Sequence, residues 1–329
     1  MDDKIFPRLK LSYDRLRKPE IQQCYLYCSL FRQDYEFSKK ELIEGWIDEG
    51  LIDKPGRQKA YDKGRSFLNR LEWNYLLERI VKLHDADAFK MHDVVRDVAI
   101  NGIGPGRGYM VKAGAKLIEV PGESELVKDL KKVSLVANYI SEIPDGLTPN
   151  CSLLSTLILS KNDNLSRISS SFLEDMVGLK VLDLSSTGIE ALPNSISNLV
   201  NLFAPWLRES KRLKYLPSFE KLVALKKFDL HKAKIEVVPQ GLEMLVRLEY
   251  LDLFCQKLKE IPTEILPSLS SLQYLVVYPS NGITKRINLE EVARLSKLES
   301  LECGMEGIQD FNSLINKFKD FESLTAYDL

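Results

Sequence analysis

Two hydrophobic periods divide this chain of 329 residues. From residue 130 onward apolar side chains recur as Leu-x-x-Leu-x-Leu. Clear members are Leu130/Val133/Leu135, Leu154/Leu157/Leu159, Leu179/Leu182/Leu184, Leu225/Phe228/Leu230, Leu248/Leu251/Leu253, Leu272/Leu275/Val277 and Leu298/Leu301/Cys303. Leu202/Pro205/Leu207 is a degenerate member, and Phe321/Leu324/Ala326 a weak last one. First positions are spaced by 24, 25, 23, 23, 23, 24, 26 and 23 residues. Several units carry a second half that closes on proline, as in Ile189-Glu190-Ala191-Leu192-Pro193 and Ile235-Glu236-Val237-Val238-Pro239.

Before residue 100 the period is helical instead. Leu9, Leu11, Tyr13 and Leu16 predict a short helix that Lys18-Pro19 ends. Pro19 suits the first position of a second helix, on which Ile21, Cys24, Tyr25, Cys28 and Phe31 share a face. Ser38-Lys39-Lys40-Glu41 is a capping box, Leu42, Ile43, Trp46 and Ile47 follow, and Gly50 stands where a helix cap belongs. A fourth helix is expected over 59–71. Residues 75–83 and 88–91, separated by the polar turn 84–87, read as a β-hairpin. Helices followed by a hairpin suggest a winged-helix module over 1–103. The run Asn101-Gly102-Ile103-Gly104-Pro105-Gly106-Arg107-Gly108 breaks the pattern and opens a linker, 104–128.

The repeat spacing over 129–329 falls inside the leucine-rich repeat range of roughly 20–29 residues. The predicted fold class is therefore α/β: a small, mostly helical winged-helix domain followed by a leucine-rich-repeat horseshoe of about nine units. One unit cannot bury its leucines alone, and stacking makes a continuous core. Side chains alternate along each short strand, so residues between the leucines form columns on the concave face. One column is Ser134, Ile158, Asp183, Trp206, Asp229, Asp252, Val276, Glu302; its neighbour is Val136, Ser160, Ser185, Arg208, His231, Phe254, Tyr278, Gly304. Trp206, Arg208, His231, Phe254 and Tyr278 are aromatics and a cation of the kind that anchors protein interfaces, and they are the candidate recognition residues.

Charge narrows the function classes. The net charge is −1 and neither part carries the basic excess of a nucleic-acid binder. The third helix, which would read DNA in a winged-helix regulator, bears Glu41, Glu44, Asp48 and Glu49, whose carboxylates oppose phosphate. No apolar run spans a membrane or forms a secretory core, and five scattered cysteines suit a reducing compartment. Cys24 and Cys28 lie four apart without further ligands and read as small buried residues rather than a metal site. No catalytic set, metal spacing or nucleotide fingerprint is recognisable, so no enzyme is expected. The glycine run is not a P-loop, because Gly108-Tyr109 stands where Gly-Lys-Ser/Thr would be needed.

Phe89-Lys90-Met91-His92-Asp93-Val94-Val95-Arg96 places a His-Asp pair where the hairpin ends and a helix begins. A helix start favours an anion, which Asp93 supplies itself or which a bound phosphate supplies beside His92.

Several stretches resemble the winged-helix part of plant nucleotide-binding leucine-rich-repeat immune receptors (the NB-ARC family). They are Leu9-Lys10-Leu11-Ser12-Tyr13-Asp14-Arg15-Leu16, Cys24-Tyr25-Leu26-Tyr27-Cys28-Ser29-Leu30-Phe31, Leu42-Ile43-Glu44-Gly45-Trp46-Ile47-Asp48-Glu49-Gly50 and Met91-His92-Asp93. Trp46 points to the coiled-coil, non-TIR branch. The resemblance implies that Met91-His92-Asp93 closes over ADP held by a neighbouring NB-ARC domain, with His92 contacting the diphosphate and Asp93 holding the inactive arrangement. It implies that the repeats recognise a pathogen effector or a guarded host protein and help keep the receptor off. Exchange of ADP for ATP and oligomerisation would then trigger defence signalling. The family's P-loop domain is not among these 329 residues, so the chain alone is expected to bind ADP or ATP weakly or not at all. An NB-ARC domain, in cis or in trans, is the implied partner. The implied location is cytoplasmic, or peripheral at the plasma membrane. Two other readings stay open: a stand-alone repeat scaffold or decoy without nucleotide switching, and a DNA-binding regulator.

Overall fold

The computed structural model describes residues 5–81, 87–103, 108–255, 257–277 and 288–303. Helices α1 (Ile5–Asp14), α2 (Pro19–Cys28), α3 (Lys39–Asp48) and α4 (Arg57–Trp73) build the first module. Pro19 opens α2, and the Ser38 hydroxyl accepts the Glu41 N–H at 3.1 Å, as the capping box predicts. Gly50, at φ +71°, lets the chain turn back so that Leu51 N–H reaches the Trp46 carbonyl at 2.9 Å. The hairpin expected at 75–91 forms from β2 (Glu78–Ile80) and β3 (Ala88–Lys90), and β1 (Phe37–Ser38) adds to its other side. Helix α5 (Asp93–Val98) begins one residue after His92. Trp46, Tyr25, Phe37 and Phe89 fill the middle of the module. Gly64 on α4 is required there, because a Cβ would lie 2.5 Å from Ile43 on α3.

Among the described residues nine parallel strands form one continuous sheet, in the order of the chain. The strands are β4 (Tyr109–Val111), β5 (Lys132–Ser134), β7 (Thr156–Ile158), β9 (Val181–Asp183), β10 (Ala204–Trp206), β11 (Lys227–Asp229), β12 (Tyr250–Asp252), β13 (Tyr274–Val277) and β14 (Ser300–Cys303). The pairs β6 (Glu142–Ile143) and β8 (Arg167–Ile168) lie outside it. The register aligns the leucine template: Val133 with Leu157, Leu157 with Leu182, Leu182 with Pro205, and Phe228 with Leu251 and on to Leu275 and Leu301. The degenerate Pro205 therefore sits in step with its neighbours, and Leu182, Phe228, Leu251 and Leu275 are fully buried.

One boundary moves. The array starts inside the stretch read as a linker, because Met110 pairs with Val133 and Leu126 belongs to the solenoid core. Tyr109-Met110-Val111 lacks the leucine template, so periodicity gave no notice of this first rung. The last expected unit, Phe321/Leu324/Ala326, lies outside the described residues.

A polar ladder also runs through the solenoid. Buried Asn162 donates to the carbonyls of Leu135 and Leu159 at 3.0 and 2.8 Å, and Asn138 donates to those of Leu135 and Lys112 at 2.9 Å. Thr187 and Ser210 both donate to the Leu184 carbonyl, at 2.8 and 2.9 Å. Buried amide and hydroxyl groups thus satisfy strand-end carbonyls that the turns leave open.

Candidate functional site

Each concave strand is three or four residues long, and its first residue belongs to a third column beside the two read from the sequence. The third runs Lys132, Thr156, Val181, Ala204, Lys227, Tyr250, Tyr274, Ser300. Helix α3 lies against it. Glu44 and Asp48, four apart and so on one helix face, both receive the Lys227 ammonium, at 2.7 and 3.0 Å. Lys227 and Glu44 are each 1 % exposed. The ammonium also sits 4.3 Å from the Trp206 ring centre and 4.9 Å from that of Tyr250. At the C-terminus of α3, Glu49 pairs with Lys132 and accepts the Thr156 hydroxyl at 2.7 Å. Lys161 donates to the Tyr35 hydroxyl at 2.9 Å, and that hydroxyl donates to Glu41 at 2.5 Å.

Helix α4 closes the other end. Its first free N–H groups, on Arg57 and Gln58, are capped by Glu299 of the array at 3.1 and 3.2 Å. Arg57 stacks 4.4 Å over the Tyr250 ring, which stacks in turn on Tyr274 at 4.7 Å, and its guanidinium reaches Glu44 at 3.2 Å. Array residues Val136 and Ile158 join the module's own core.

Burial alone would raise the Glu44 carboxyl. Lys227 and then Arg57 more than reverse this and hold it well below the usual carboxylate range. Asp48 stays raised, by burial and by Glu44 beside it, against the pull of Lys227. Asp229 is pushed up to about 6 by burial, with Asp252 adding to the rise, Glu44 adding less, and Arg208 and Lys227 opposing it. A carboxyl raised on folding stabilises the fold in acid and loses that contribution as pH rises, here between about 4 and about 6. Glu44, whose value is lowered, contributes the opposite way, above the unfolded value. Asp229→Asn should therefore gain stability relative to wild type as pH goes from about 4 to about 6, measured as urea midpoints at several pH values. Parallel pH profiles would remove Asp229 from the balance.

The candidate recognition residues divide. Trp206 was expected to face outward but is only 7 % exposed, because the module covers its column. Arg208 is half-buried and pairs with Asp229 at 3.3 Å. His231 Nδ1 lies 3.1 Å from Asp252, and its ring packs 4.8 Å from that of Phe254. Tyr278 lies outside the described residues. Arg208 and His231 thus sit on neighbouring rungs, each tied to a buried aspartate of the next rung, while Trp206 packs against the Lys227 ammonium.

His92 and Asp93 stand apart from the concave face contacts. His92 precedes α5 as its cap, its Nδ1 2.5 Å from Asp93, with side chains 64 % and 44 % exposed. Asp93 also accepts the Val94 N–H at 2.7 Å and the Gln33 amide at 3.2 Å. Arg96 donates to the Phe31 carbonyl at 2.7 Å and Tyr25 to that of Val95 at 2.9 Å, which ties α5 to α2. Trp46 of α3 donates to the Cys24 carbonyl of α2 at 3.1 Å. Cys24 and Cys28 are buried, which pushes both thiols up. No helix among the described residues is long and apolar enough to cross a membrane.

The sequence reading missed Lys227, Lys132, Arg57, Tyr250 and Glu299. No local signal marked them: lysines and tyrosines in that column read as ordinary solvent-facing side chains.

A winged-helix module locked onto a leucine-rich-repeat array is a combination that comparison with known proteins recognises. The family model described as the disease resistance protein winged helix domain matches residues 30–99, and that of the leucine rich repeat matches 128–189. A disease resistance protein of Arabidopsis thaliana, At4g27190, is 32% identical over 98% of this chain and 34% of its own length. Disease resistance protein RFL1 of the same plant is 38% identical over 84% of this chain and 28% of its own length. SUMM2 is 40% identical over 61% and 22%. The receptor kinase HAESA of Arabidopsis, solved with a peptide hormone and a co-receptor, shares the repeat fold at 20% identity and a TM-score of 0.50, over 65% of this chain and 36% of that one. The chain belongs to the plant disease resistance proteins of the NB-ARC leucine-rich-repeat family. It spans 34% and 28% of the length of the first two of these relatives.

Proposed function

We propose that this chain is the sensor and latch of a plant immune receptor. The repeats read a pathogen effector or a modified host protein. The Met91-His92-Asp93 segment contacts ADP in an NB-ARC domain, His92 at the diphosphate and Asp93 as a hold on the off state. The chain has no catalytic role of its own and works in the cytoplasm.

The observation that carries this reading is the seating of α3 across the concave face, through Lys227, Glu44 and Asp48. The surface that reads a partner is then in direct contact with the module that bears the latch. From α3 the contacts continue through Trp46 to α2, and from α2 through Tyr25 to α5, which begins at Asp93. A disturbance of α3 has a packed route to the nucleotide-facing pair. The exposure of His92 and Asp93 at a helix start supports contact with a phosphate group supplied by another domain.

In a full-length receptor that contains this segment, Asp93→Val should raise cell-death signalling without pathogen, because the off state loses a hold. Silence equal to wild type in a leaf cell-death assay would count against the latch. Calorimetry on the chain alone should show no micromolar ADP affinity, since the P-loop sequence is not among its residues.

A further inference from the structure

We infer that the concave face is a reader of acidic helices, and that the partner engaging it presents carboxylates in the place of those on α3. This rests on the reading that the concave face meets a partner protein. Lifting α3 away would uncover the lysine column. Lys227 would stand among the rings of Trp206 and Tyr250, with Lys132 on an earlier rung of the same column. Lys227 is walled by these rings, and the two ammoniums are now in direct contact with Glu44 and Asp48 and with Glu49. A neutral or basic helix in the place of α3 would bury Lys227 without the two carboxylates that now contact it, which selects against such a helix.

The next column narrows the ligand further. Asp183, Asp229 and Asp252 are buried directly beside the lysine column. A polyanion such as nucleic acid or an inositol polyphosphate would meet those carboxylates. A single line of side-chain carboxylates on one helix face can contact the lysine directly, as Glu44 and Asp48 do, with only a weaker repulsion from Asp229. The shape agrees: α3 presents Glu44 and Asp48 on one face, while its Leu42, Ile43 and Trp46 are buried in the module. A partner helix with acidic residues four apart repeats that geometry.

Because α3 is tethered, it competes at an effective concentration on the order of millimolar. An outside helix binds detectably only where α3 is loosened or the newcomer is tight. This yields a test on the full chain with a defined probe, a stapled peptide of the sequence from Ser38 to Gly50. The peptide should bind a Glu44→Gln/Asp48→Asn chain at least tenfold more tightly than the wild-type chain, read by fluorescence anisotropy. A peptide with glutamine or asparagine at its four acidic positions should bind neither. Lys227→Met in the loosened chain should abolish binding of the acidic peptide while circular dichroism and melting show a folded array. Equal affinity of the acidic and neutral peptides, or no gain on loosening α3, would overturn the inference. The outcomes separate cleanly from the receptor reading. A groove indifferent to charge, in a receptor that Asp93→Val still activates, sinks only this inference. A charge-selective groove in a receptor that stays silent sinks only the latch.

Discussion

Replacing Lys227 with alanine is expected to destabilise the docked module by about 3–5 kcal/mol. Removing one partner of a buried ion pair leaves the other charge without water and without a counter-ion, and that penalty exceeds what the intact pair contributes. Here two carboxylates are left, Glu44 and Asp48, at 2.7 and 3.0 Å from the lost ammonium. Two features pull the expectation to the lower end of the range. Arg57 remains 3.2 Å from Glu44. Asp48, already raised, can take up a proton and become neutral. The loss should be local, because the leucine core does not depend on this contact. Hydrogen exchange should show α3 amides losing protection while those of β9 keep theirs. Unchanged protection in α3 would mean that the ion cluster does not hold the module.

Leu251→Ala should cost about 2–5 kcal/mol, the sum of lost transfer energy and a cavity the neighbours cannot fill. Leu251 is fully buried at the centre of β12 and pairs in register with Phe228 and Leu275. In a solenoid each unit is supported only by its neighbours, so the damage should spread to the adjacent rungs before it reaches distant ones. Leu182 on β9 is fully buried in the same register, and Leu182→Ala should have the same effect. A clear fall in melting temperature is the simple readout; hydrogen exchange by rung shows where the array opens. An unchanged melting temperature would remove these residues from the core.

These two positions also mark what could be read from the chain alone. Leu251 was legible because the repeat period names it: a leucine every unit, in step, has no other physical use than stacking. The helices of the first module were legible for the same local reasons, the capping box at Ser38 and the proline at α2. Lys227 was not. Glu44 lies 183 residues away from it, and no local pattern links a helix acid to a strand lysine across that distance. The two concave columns nearest the end of each strand were visible; the one that carries the docking surface was not, because its lysines and tyrosines look like ordinary exposed side chains until α3 covers them. Trp206 shows the cost of that omission. Its residue type suggested an interface, and it does line one, but the interface is with the chain's own module and the ring shelters Lys227. The first rung at Tyr109 escaped for a different reason: Met110 takes the core position there and the strand carries no leucine.

Because each unit of a solenoid contacts only its neighbours, whole units can be gained or lost. The capping of α4 by Glu299 sets a limit on that process. The module grips the array at Lys132 through Glu49 and again at Glu299, so it spans a fixed number of rungs. Losing or gaining one unit between these points would shift Glu299 by about 4.8 Å, more than a hydrogen bond can follow. The arc beneath the module is thus held to one copy number, and variation in repeat count should be tolerated only outside it.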